Sequence, residues 1–410
     1  MVEIAVLGHG VVGSGVCEVL GKNAASIADR SGKQIHVKRV LDLRDFPDCP
    51  YRGKFTKDYQ DIVSDPDIQV VAEVMGGVHP AYEYSRAALE AGKSVVTSNK
   101  ELVAAKGAEL LAMAEEHNVN YLFEASVGGG IPIIRPLHQC LAANRIDAIA
   151  GILNGTTNFI LTKMIKEGMA FDTALLLAKR LGYAEANPTA DVDGHDACRK
   201  ICILASIAFG SHVYPESVHT QGITGITLED VAYADNAGCV IKLIGQASQN
   251  PDGQVYALVS PALIGRDSQL AGVDDVFNAV LVRGDATGDV VFYGKGAGKL
   301  PTASAVVGDV IDCAKASGTI SSLHWKDSDR RNVADYREHQ VVKYVRCTAP
   351  NKAAIHGVFG QVTFLTRQNA PEDEFAFLTP AMSESALDDK LKALEKAGGA
   401  VLAEIRRLDL

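Results

Sequence analysis

A glycine-rich loop close to the start of the chain constrains the fold more than any other feature. An apolar run over residues 4 to 7 breaks into Gly8-His9-Gly10-Val11-Val12-Gly13, and apolar residues then recur with helical spacing up to residue 20. Gly8 allows a tight turn, Gly10 lets the backbone approach a phosphate, and Gly13 lets helix and strand pack closely. The pattern therefore predicts a strand, a pyrophosphate-binding loop and a helix whose N-terminus faces the phosphates.

Strand and helix patterns alternate after this unit. Further strands are predicted at 35–43, 70–74, 94–97 and 120–123, with helices such as 81–91 and 106–117 between them. Alternation of this kind is typical of a parallel, doubly wound sheet, so the first part of the chain is expected to be an α/β domain of the Rossmann type.

The residues at the end of the second predicted strand leave open whether the cofactor is NAD or NADP. Asp42 or Asp45 could accept a hydrogen bond from the ribose 2'-hydroxyl of NAD, whereas Arg44, together with Lys57, could pair with the 2'-phosphate of NADP. The same charges could also belong to an ordinary solvated loop. The sequence therefore predicts a dinucleotide without deciding between the two.

Charge and cysteine usage exclude several classes of partner. The formal net charge of −10 disfavours nucleic acid and anionic membrane as partners and favours small-molecule chemistry. The eight cysteines are scattered without CxxC pairs, which is typical of reduced thiols. The start of the chain lacks the basic leader of a signal peptide, and no uninterrupted apolar run is long enough for a membrane span. A cytoplasmic protein is expected.

Residues 178 to 200 concentrate acids around one helix start. Pro188 turns the chain off a helical path and Gly194 permits a sharp turn. Asp196 and Lys200 then lie four residues apart, on one face of the next helix. Acids in the irregular segment before it could converge on a ligand ammonium group. The alternative is an ordinary set of helix-start acids with a surface ion pair.

This segment resembles the signature of homoserine dehydrogenases. The residues that fit it are Ala178, Gly182, Tyr183, Ala184, Asn187, Pro188, Asp191, Val192, Gly194, Asp196 and Lys200. The resemblance is strong over residues 1 to 315 and weak in the tail. It implies reversible, NAD(P)H-dependent reduction of L-aspartate 4-semialdehyde to L-homoserine, a step in the biosynthesis of threonine, methionine and isoleucine.

The resemblance also implies roles for individual residues. Lys200 becomes the general acid and base, Asp196 orients it, and Lys100 of a Ser-Asn-Lys element assists at the nicotinamide. The residues implied to bind substrate are Glu185, Asp191, Asn154 and Thr156. Those that the loop pattern and the resemblance together place at the cofactor are Gly8, Gly10, Val11, Val12, Gly13, Arg44, Gly76, Thr97, Ser98, Lys100 and Gly296. A monovalent cation, sodium or potassium, is implied at Glu124, Val127, Gly129 and Ile131, mostly through backbone oxygens. The alternative for this last segment is an interdomain hinge.

The domain limits follow the same reasoning. The prediction is a Rossmann domain over 1–131 completed by a helix at 300–317, an α+β catalytic and dimerisation domain over 132–299, a polar linker over 318–340, and a ferredoxin-like, ACT-like domain over 341–410. ACT domains usually carry Pro-Gly-x-Leu after their first strand, whereas Pro350-Asn351-Lys352-Ala353 stands here. We therefore expect the tail to bind threonine weakly or not at all and to serve in subunit association, in a homodimer or homotetramer.

Two other functions fit parts of the pattern. Aspartate-semialdehyde dehydrogenase needs a nucleophilic cysteine, and no cysteine here opens a helix that follows a predicted strand. An NAD(P)-sensing regulator without catalysis would tolerate loss of Lys200, but the sequence shows no helix-turn-helix flank and its charge is acidic. Both alternatives rank below the dehydrogenase.

Overall fold

The computed structural model describes residues 1–316, 318, 323 and 325–409. The predicted helix end at 317 and residues 319–322 and 324 of the predicted linker lie outside this part of the chain. Contacts divide the chain into two compact units. Unit 1 comprises Met1–Ile146, Cys202–Pro215 and Arg283–Asn332; unit 2 comprises Asp147–Ile201, Glu216–Val282 and Val333–Leu410.

The helices and strands are numbered in chain order. The first group is β1 (Val2–Leu7), α1 (Val11–Lys22), α2 (Ala24–Ser31), β2 (Ile35–Leu41), β3 (Phe55–Thr56), α3 (Gln60–Val63), β4 (Ile68–Glu73), α4 (Ala81–Glu90), β5 (Ser94–Thr97), α5 (Lys100–Glu116) and β6 (Tyr121–Leu122). The second group is β7 (Ile146–Ile152), α6 (Gly155–Glu167), α7 (Phe171–Arg180), α8 (Thr189–Val192), α9 (His195–Phe209), β8 (His219–Thr220), α10 (Leu228–Asn236), β9 (Cys239–Gln249), β10 (Val255–Gly265), β11 (Phe277–Gly284), β12 (Gly288–Lys295) and α11 (Lys299–Lys315). The last group is β13 (Gln340–Thr348), α12 (Lys352–Phe359), β14 (Thr363–Leu365), β15 (Glu374–Leu378), β16 (Met382–Ser383), α13 (Glu384–Lys396) and β17 (Ala400–Leu408).

Unit 1 is built on a parallel sheet in the order β3-β2-β1-β4-β5-β6. This is the strand order of a Rossmann fold, and it confirms the predicted doubly wound architecture. β1 is the centre of the core, where Ile4 and Val6 are fully buried. The order reverses between β1 and β4, so the loops after these two strands face the crevice in which such sheets bind ligands.

Helix α11 lies in unit 1 although it comes late in the chain. A Cβ added at Gly15 in α1 would lie 2.9 Å from the carbonyl oxygen of Lys299 and 3.0 Å from Cβ of Ala303. Only glycine at position 15 therefore lets α1 and α11 pack this closely. The parallel-sheet unit is consequently discontinuous in sequence.

Unit 2 is built on a mixed sheet. Its strands follow the order β11-β7-β9-β10-β17-β13-β15-β14, with β8 beside β10 and β16 beside β13. β9 and β10 form a long antiparallel ladder from Val255 opposite Gln249 to Gly265 opposite Cys239. The apolar core on this sheet includes Ile152, Ile244, Ile264 and Leu281.

The C-terminal residues extend this sheet. From β13 to β17 the main elements run strand, helix, two strands, helix, strand, in the spatial order β17-β13-β15-β14. β17 also pairs in parallel with β10, with Ala262 opposite Arg406. Residues 333–410 thus share a unit with 147–201 and 216–282, whereas the sequence predicted a boundary at 341.

Three local predictions were wrong in extent. The sequence pattern also predicts a helix at 133–142; residues 134–140 are helical, and Pro136–Cys140 form a π-type turn in which the N–H of Leu141 reaches back to the carbonyl of Pro136. Helix α5 begins at Lys100 rather than at 106, because Asn99 caps it by accepting from the N–H of Leu102. The predicted polar linker contains a buried residue, Trp325, whose indole N–H donates to His212 Nδ1 at 3.0 Å. A side-chain partner distant in sequence, His212, accounts for the third difference.

Across the described residues, none of the helices combines the length and the apolar character that spanning a membrane requires.

Candidate active site

The loop after β1 has the shape of a phosphate cradle. Gly8 adopts φ +93°, and a Cβ at Gly13 would lie 1.9 Å from the carbonyl oxygen of Gly8, so neither position tolerates a side chain without strain. A Cβ at Gly10 would meet no atom within 4 Å, which leaves open space directly before the helix start at Val11. The N–H groups of α1, with Val12 in its first turn, begin at this opening. The residues present therefore fit a dinucleotide pyrophosphate.

Asp42 and Arg44 form a fixed pair after β2. The Arg44 guanidinium donates from Nε and Nη2 to the Asp42 carboxylate at 3.0 and 2.8 Å and lies over the ring of Phe46. Asp42 also accepts from the N–H of His9 in the glycine loop. These bonds, that of the Arg44 side chain above all, hold the pKa of Asp42 well below its usual range. The Asp42 side chain is 7% exposed and that of Arg44 is 64% exposed, so the guanidinium is the group presented to solvent. Lys57, also named for the 2'-phosphate, pairs with Asp45 at the surface.

A buried acid ties the ends of β4 and β5 together. Glu73, fully buried, accepts from the N–H of Met75 at 2.8 Å and from the hydroxyl of Thr97 at 2.7 Å. Burial raises the pKa of Glu73, and these hydrogen bonds act in the opposite direction. Sequence reasoning missed this residue. Its signal was an acid at the end of an otherwise apolar strand run.

The same network positions the other predicted cofactor residues of unit 1. The Thr97 hydroxyl accepts from the N–H of Asn99, and the Asn99 amide donates to the carbonyl of Gly77 at 2.6 Å. The N–H of Ser98 reaches the carbonyl of Glu73 at 3.4 Å. The bonds therefore hold the Met75-Gly76-Gly77 turn, where a Cβ at Gly76 would meet open space, and the start of α5 at Lys100.

The loop predicted to bind a cation is tightly folded. Glu124 is buried, and its carboxylate accepts from the N–H groups of Ile133, Ile134 and Arg135 at 2.7 to 2.9 Å. The Glu124 side chain therefore anchors the following turn. The predicted cation ligands that this leaves are the backbone carbonyl oxygens of the loop.

Two glycines bring this loop against a second segment of unit 1. Gly128 and Gly129 have φ +73° and +53°, and a Cβ at Gly129 would lie 2.4 Å from the carbonyl oxygen of Gly296. Gly296 thus packs against the predicted cation loop. Val127 and Ile131 are buried at the same place, so the loop is closely packed within unit 1.

In unit 2, four of the predicted residues form one hydrogen-bonded cluster. Lys200 donates to Asp196 at 2.7 Å and to the carbonyl of Leu153 at 2.7 Å. The Asn154 amide donates to Asp191 at 2.7 Å and to Asp196 at 2.8 Å. Lys200 and Asp196 are buried, being 8% and 4% exposed, and Asp191 is half-buried. An ordinary surface ion pair would be exposed to solvent, whereas these side chains form a buried, hydrogen-bonded polar cluster.

Secondary structure accounts for the convergence of this cluster. Asp196 and Lys200 lie one turn apart in α9, while Asn154 caps α6 by accepting from the N–H of Thr157. Asp191 stands in the short helix α8, and Gly194, at φ +85°, turns the chain between α8 and α9. The first turns of α6 and α9 therefore both contact the side-chain amide of Asn154.

Glu185 and Thr156 lie differently. Glu185 is exposed and takes no part in the hydrogen-bonded cluster within the described residues. Thr156 is buried, and its hydroxyl donates to the carbonyl of Tyr183 at 2.6 Å. Thr156 therefore fixes the segment that carries Glu185. In the part of the chain that the structure describes, no group of three or more His, Cys, Asp or Glu side chains has the spacing of a metal site.

Comparisons with known proteins agree in naming one family. Residues 132–311 match the family described as homoserine dehydrogenase, and residues 8–124 match the NAD-binding domain of homoserine dehydrogenase. A homoserine dehydrogenase of Synechocystis sp. is 49% identical over 323 residues, which cover 76% of this chain and 73% of the relative.

Solved structures give the same family. A homoserine dehydrogenase from Thiobacillus denitrificans superposes with a TM-score of 0.89 at 36% identity, covering 100% of this chain and 98% of that one. A hyperthermophilic archaeal homoserine dehydrogenase in complex with NADPH has a TM-score of 0.66 at 30% identity, covering 77% of this chain and 99% of that one.

Proposed function

The chain belongs to the homoserine dehydrogenase family and is an oxidoreductase with that activity, and from this premise we propose which of its residues carry the reaction. The observation that supports the assignment best is the buried contact between Lys200 and Asp196, bridged through Asn154 to Asp191. The biosynthesis of amino acids in the threonine, methionine and isoleucine group is the corresponding role.

Lys200 is proposed as the general acid in reduction and the general base in oxidation. A bound nicotinamide cofactor supplies the hydride to the aldehyde carbon of the semialdehyde. The carbonyl oxygen then carries a negative charge and needs a proton, which the ammonium of Lys200 donates. In the reverse direction the neutral amine takes the proton of the homoserine hydroxyl. Asp196 and the Leu153 carbonyl fix the position of the amine for both directions.

The acids of unit 2 are proposed to bind the amino-acid part of the substrate. Asp191 is half-buried and accepts from the Asn154 amide beside Asp196, and its carboxylate is proposed as the first partner of the substrate ammonium group. Glu185 is proposed as a second partner of the ammonium, from the exposed segment fixed by Thr156. The N-terminus of α6, at Asn154 and Thr156, suits the substrate carboxylate.

We propose NADP as the preferred cofactor, with NAD as the alternative. Arg44 presents its guanidinium to solvent at the end of β2, while Asp42 is already engaged by Arg44 and by His9. A guanidinium suits the 2'-phosphate of NADP, and an engaged carboxylate is a poorer acceptor for a ribose hydroxyl. Lys100, at the first residue of α5, is proposed to act at the nicotinamide.

A sodium or potassium ion is proposed at the loop from Glu124 to Ile131. Backbone carbonyls are suitable ligands for such ions, and the close approach of Gly129 to Gly296 gives the loop the rigidity that fixed carbonyls require. The Glu124 carboxylate is occupied by three backbone N–H groups, so the proposed ion would be held by carbonyl oxygens of the loop.

We propose that residues 341–410 form an ACT-like region with weak or absent threonine binding. Asn351 itself caps α12 by accepting from the N–H of Ala354, so the helix start at which a carboxylate would bind already has a partner. A homodimer or homotetramer and a cytoplasmic location complete the proposal. Threonine titrated to millimolar levels should leave the activity of the full chain unchanged.

The direct test is to follow NADPH absorbance with L-aspartate 4-semialdehyde, with and without phosphate. Consumption that depends on the semialdehyde alone supports the assignment. Phosphate-dependent formation of NADPH from NADP and the semialdehyde would indicate aspartate-semialdehyde dehydrogenase chemistry, because that reaction oxidises the aldehyde to an acyl phosphate. Binding of NADPH without turnover would indicate the alternative, a sensing protein without catalysis.

A further inference from the structure

The C-terminal strand β17 carries a buried arginine that joins three segments of unit 2. Arg406 is 4% exposed, and its Nε and Nη2 donate to both carboxylate oxygens of Glu384 at 2.5 and 2.7 Å. Its third nitrogen, Nη1, donates to Oε1 of Gln221 at 2.9 Å. Lys343 lies 3.2 Å from the same Glu384 carboxylate. The guanidinium is therefore held rigidly by α13 and presented to Gln221.

Gln221 lies in a segment that packs directly against the turn at 191–194, which carries the proposed substrate residue Asp191. Two residues further on, the N–H of Ile223 donates to the carbonyl of Val192 at 2.8 Å. Between them, a Cβ added at Gly222 would lie 2.2 Å from the Val192 carbonyl oxygen and 2.5 Å from Cα of Asp193. The two backbones therefore touch, and a displacement of one must move the other.

The contacts continue to the catalytic cluster. Val192 adjoins Asp191, whose carboxylate accepts from Asn154, and Asn154 donates its other N–H to Asp196. On the opposite side, a Cβ at Gly194 would lie 3.1 Å from the side chain of Thr220. The turn at 191–194, which carries the proposed substrate acid Asp191, is thus packed against residues 220–223.

We propose that Arg406 is a positioning residue for substrate binding, which acts through Gln221 to hold the turn at 191–194. The proposal rests on the assignment of Asp191 to the substrate in the proposed function. It places the C-terminal region in the catalytic machinery of unit 2 as a support, in addition to any part in association or regulation. Small displacements matter here because a shift of about 1 Å at a reacting group can cost about a hundredfold in rate.

The test breaks the contact without leaving Glu384 unpaired. Gln221→Met removes the acceptor of Arg406 at nearly constant volume, whereas Gln221→Glu keeps an acceptor oxygen. We expect Gln221→Met to raise KM for homoserine about tenfold, the factor that loss of one hydrogen bond implies. KM for NADP should stay close to that of the wild type, while the melting temperature should fall, because Nη1 of the buried Arg406 loses its acceptor. Gln221→Glu should restore most of the loss, and the exposed Gln368→Met serves as the matched control.

Asp191→Asn, measured beside these variants, separates the two proposals. If Asp191→Asn raises KM for homoserine and Gln221→Met does not, the positioning role is overturned while the proposed function stands. If Asp191→Asn leaves KM unchanged, the assignment of Asp191 itself is wrong. A Gln221→Met variant that shows equal KM increases for both substrates would show Gln221 to be structural only, which also overturns the positioning role.

Discussion

Lys200 donates a hydrogen bond to the carboxylate of Asp196, one turn earlier in the same helix, and both side chains are buried. Burial of an ion pair is costly unless its remaining hydrogen-bonding groups are satisfied, and here Asn154 and the Leu153 carbonyl supply those bonds. Because burial of this ion pair costs folding free energy, its place among several acids favours the proposed catalytic role over a role in stability.

Replacement of Lys200 should remove proton transfer while cofactor binding persists. For Lys200→Ala we expect kcat to fall at least about a hundredfold, because general acid–base catalysis contributes that much or more. The dissociation constant for NADPH, measured by fluorescence titration, should change little. Lys33→Ala, at an exposed position, is the control. Retention of near-normal kcat in Lys200→Ala would refute the role.

Asn154→Asp should disturb substrate binding through charge. The new carboxylate keeps the oxygen that caps α6 but loses both donations to Asp191 and Asp196 and adds a third negative charge beside them. Loss of hydrogen bonds to charged groups predicts a fall in kcat/KM for homoserine of about ten- to a hundredfold. Steady-state kinetics of this variant and of the exposed Asn369→Asp provide the comparison. Equal kinetics in the two variants would contradict the bridging role.

Two glycines of the first loop should respond differently to alanine. A Cβ at Gly13 clashes with the Gly8 carbonyl, so Gly13→Ala should lower the melting temperature. A Cβ at Gly10 meets no protein atom, so Gly10→Ala should fold normally but weaken NADPH binding, since the methyl group occupies the phosphate cradle. Calorimetry and cofactor titration of both variants test this. Unchanged NADPH affinity in Gly10→Ala would mean that the phosphates lie elsewhere.

Arg44→Ala should separate the two cofactors. KM for NADPH is expected to rise about tenfold or more through loss of charge-assisted hydrogen bonds to the 2'-phosphate. KM for NADH should stay constant or fall, because Asp42 is released from Arg44 and becomes available to the ribose. The measurement is a pair of saturation curves for each variant, with the exposed Arg30→Ala as reference. A parallel rise for both cofactors would show that Arg44 only shapes the loop.

Lys242 gives a prediction for pH. Its side chain is 2% exposed, and burial lowers its pKa from 10.5, against the opposing effect of Asp274. A lysine whose pKa is lower in the native state binds fewer protons there than in the unfolded state, so its contribution to stability increases as pH rises toward 10.5 and is lost as pH falls. The free energy of unfolding of the wild type relative to Lys242→Met should therefore increase from neutral pH to about 10. Urea unfolding over that range measures it, and Lys392→Met, at an exposed position, is the matched surface substitution. A difference independent of pH for Lys242→Met would contradict the lowered pKa.

The sequence predicted best what short stretches of chain determine. The glycine loop, the parallel sheet and the helix spacing of Asp196 and Lys200 follow from periodicity and local turn chemistry. Glu73 was missed because its partner Thr97 lies on another strand, and nothing in a strand pattern signals a bond between two strand ends. The packing of Trp325 against His212 was hidden for the same reason, in a segment whose composition is that of a linker.

The pairing of β17 with β10 has a consequence for how the protein is made. β10 is synthesised long before β17, and during that interval one of its edges lacks the neighbour that covers it in the folded protein. An open edge of apolar residues such as Leu263 and Ile264 is a template for pairing with other chains. The sheet of unit 2 is therefore completed only when β17 has been synthesised. Until then this edge of β10 can pair with other chains, which is a route to aggregation during synthesis.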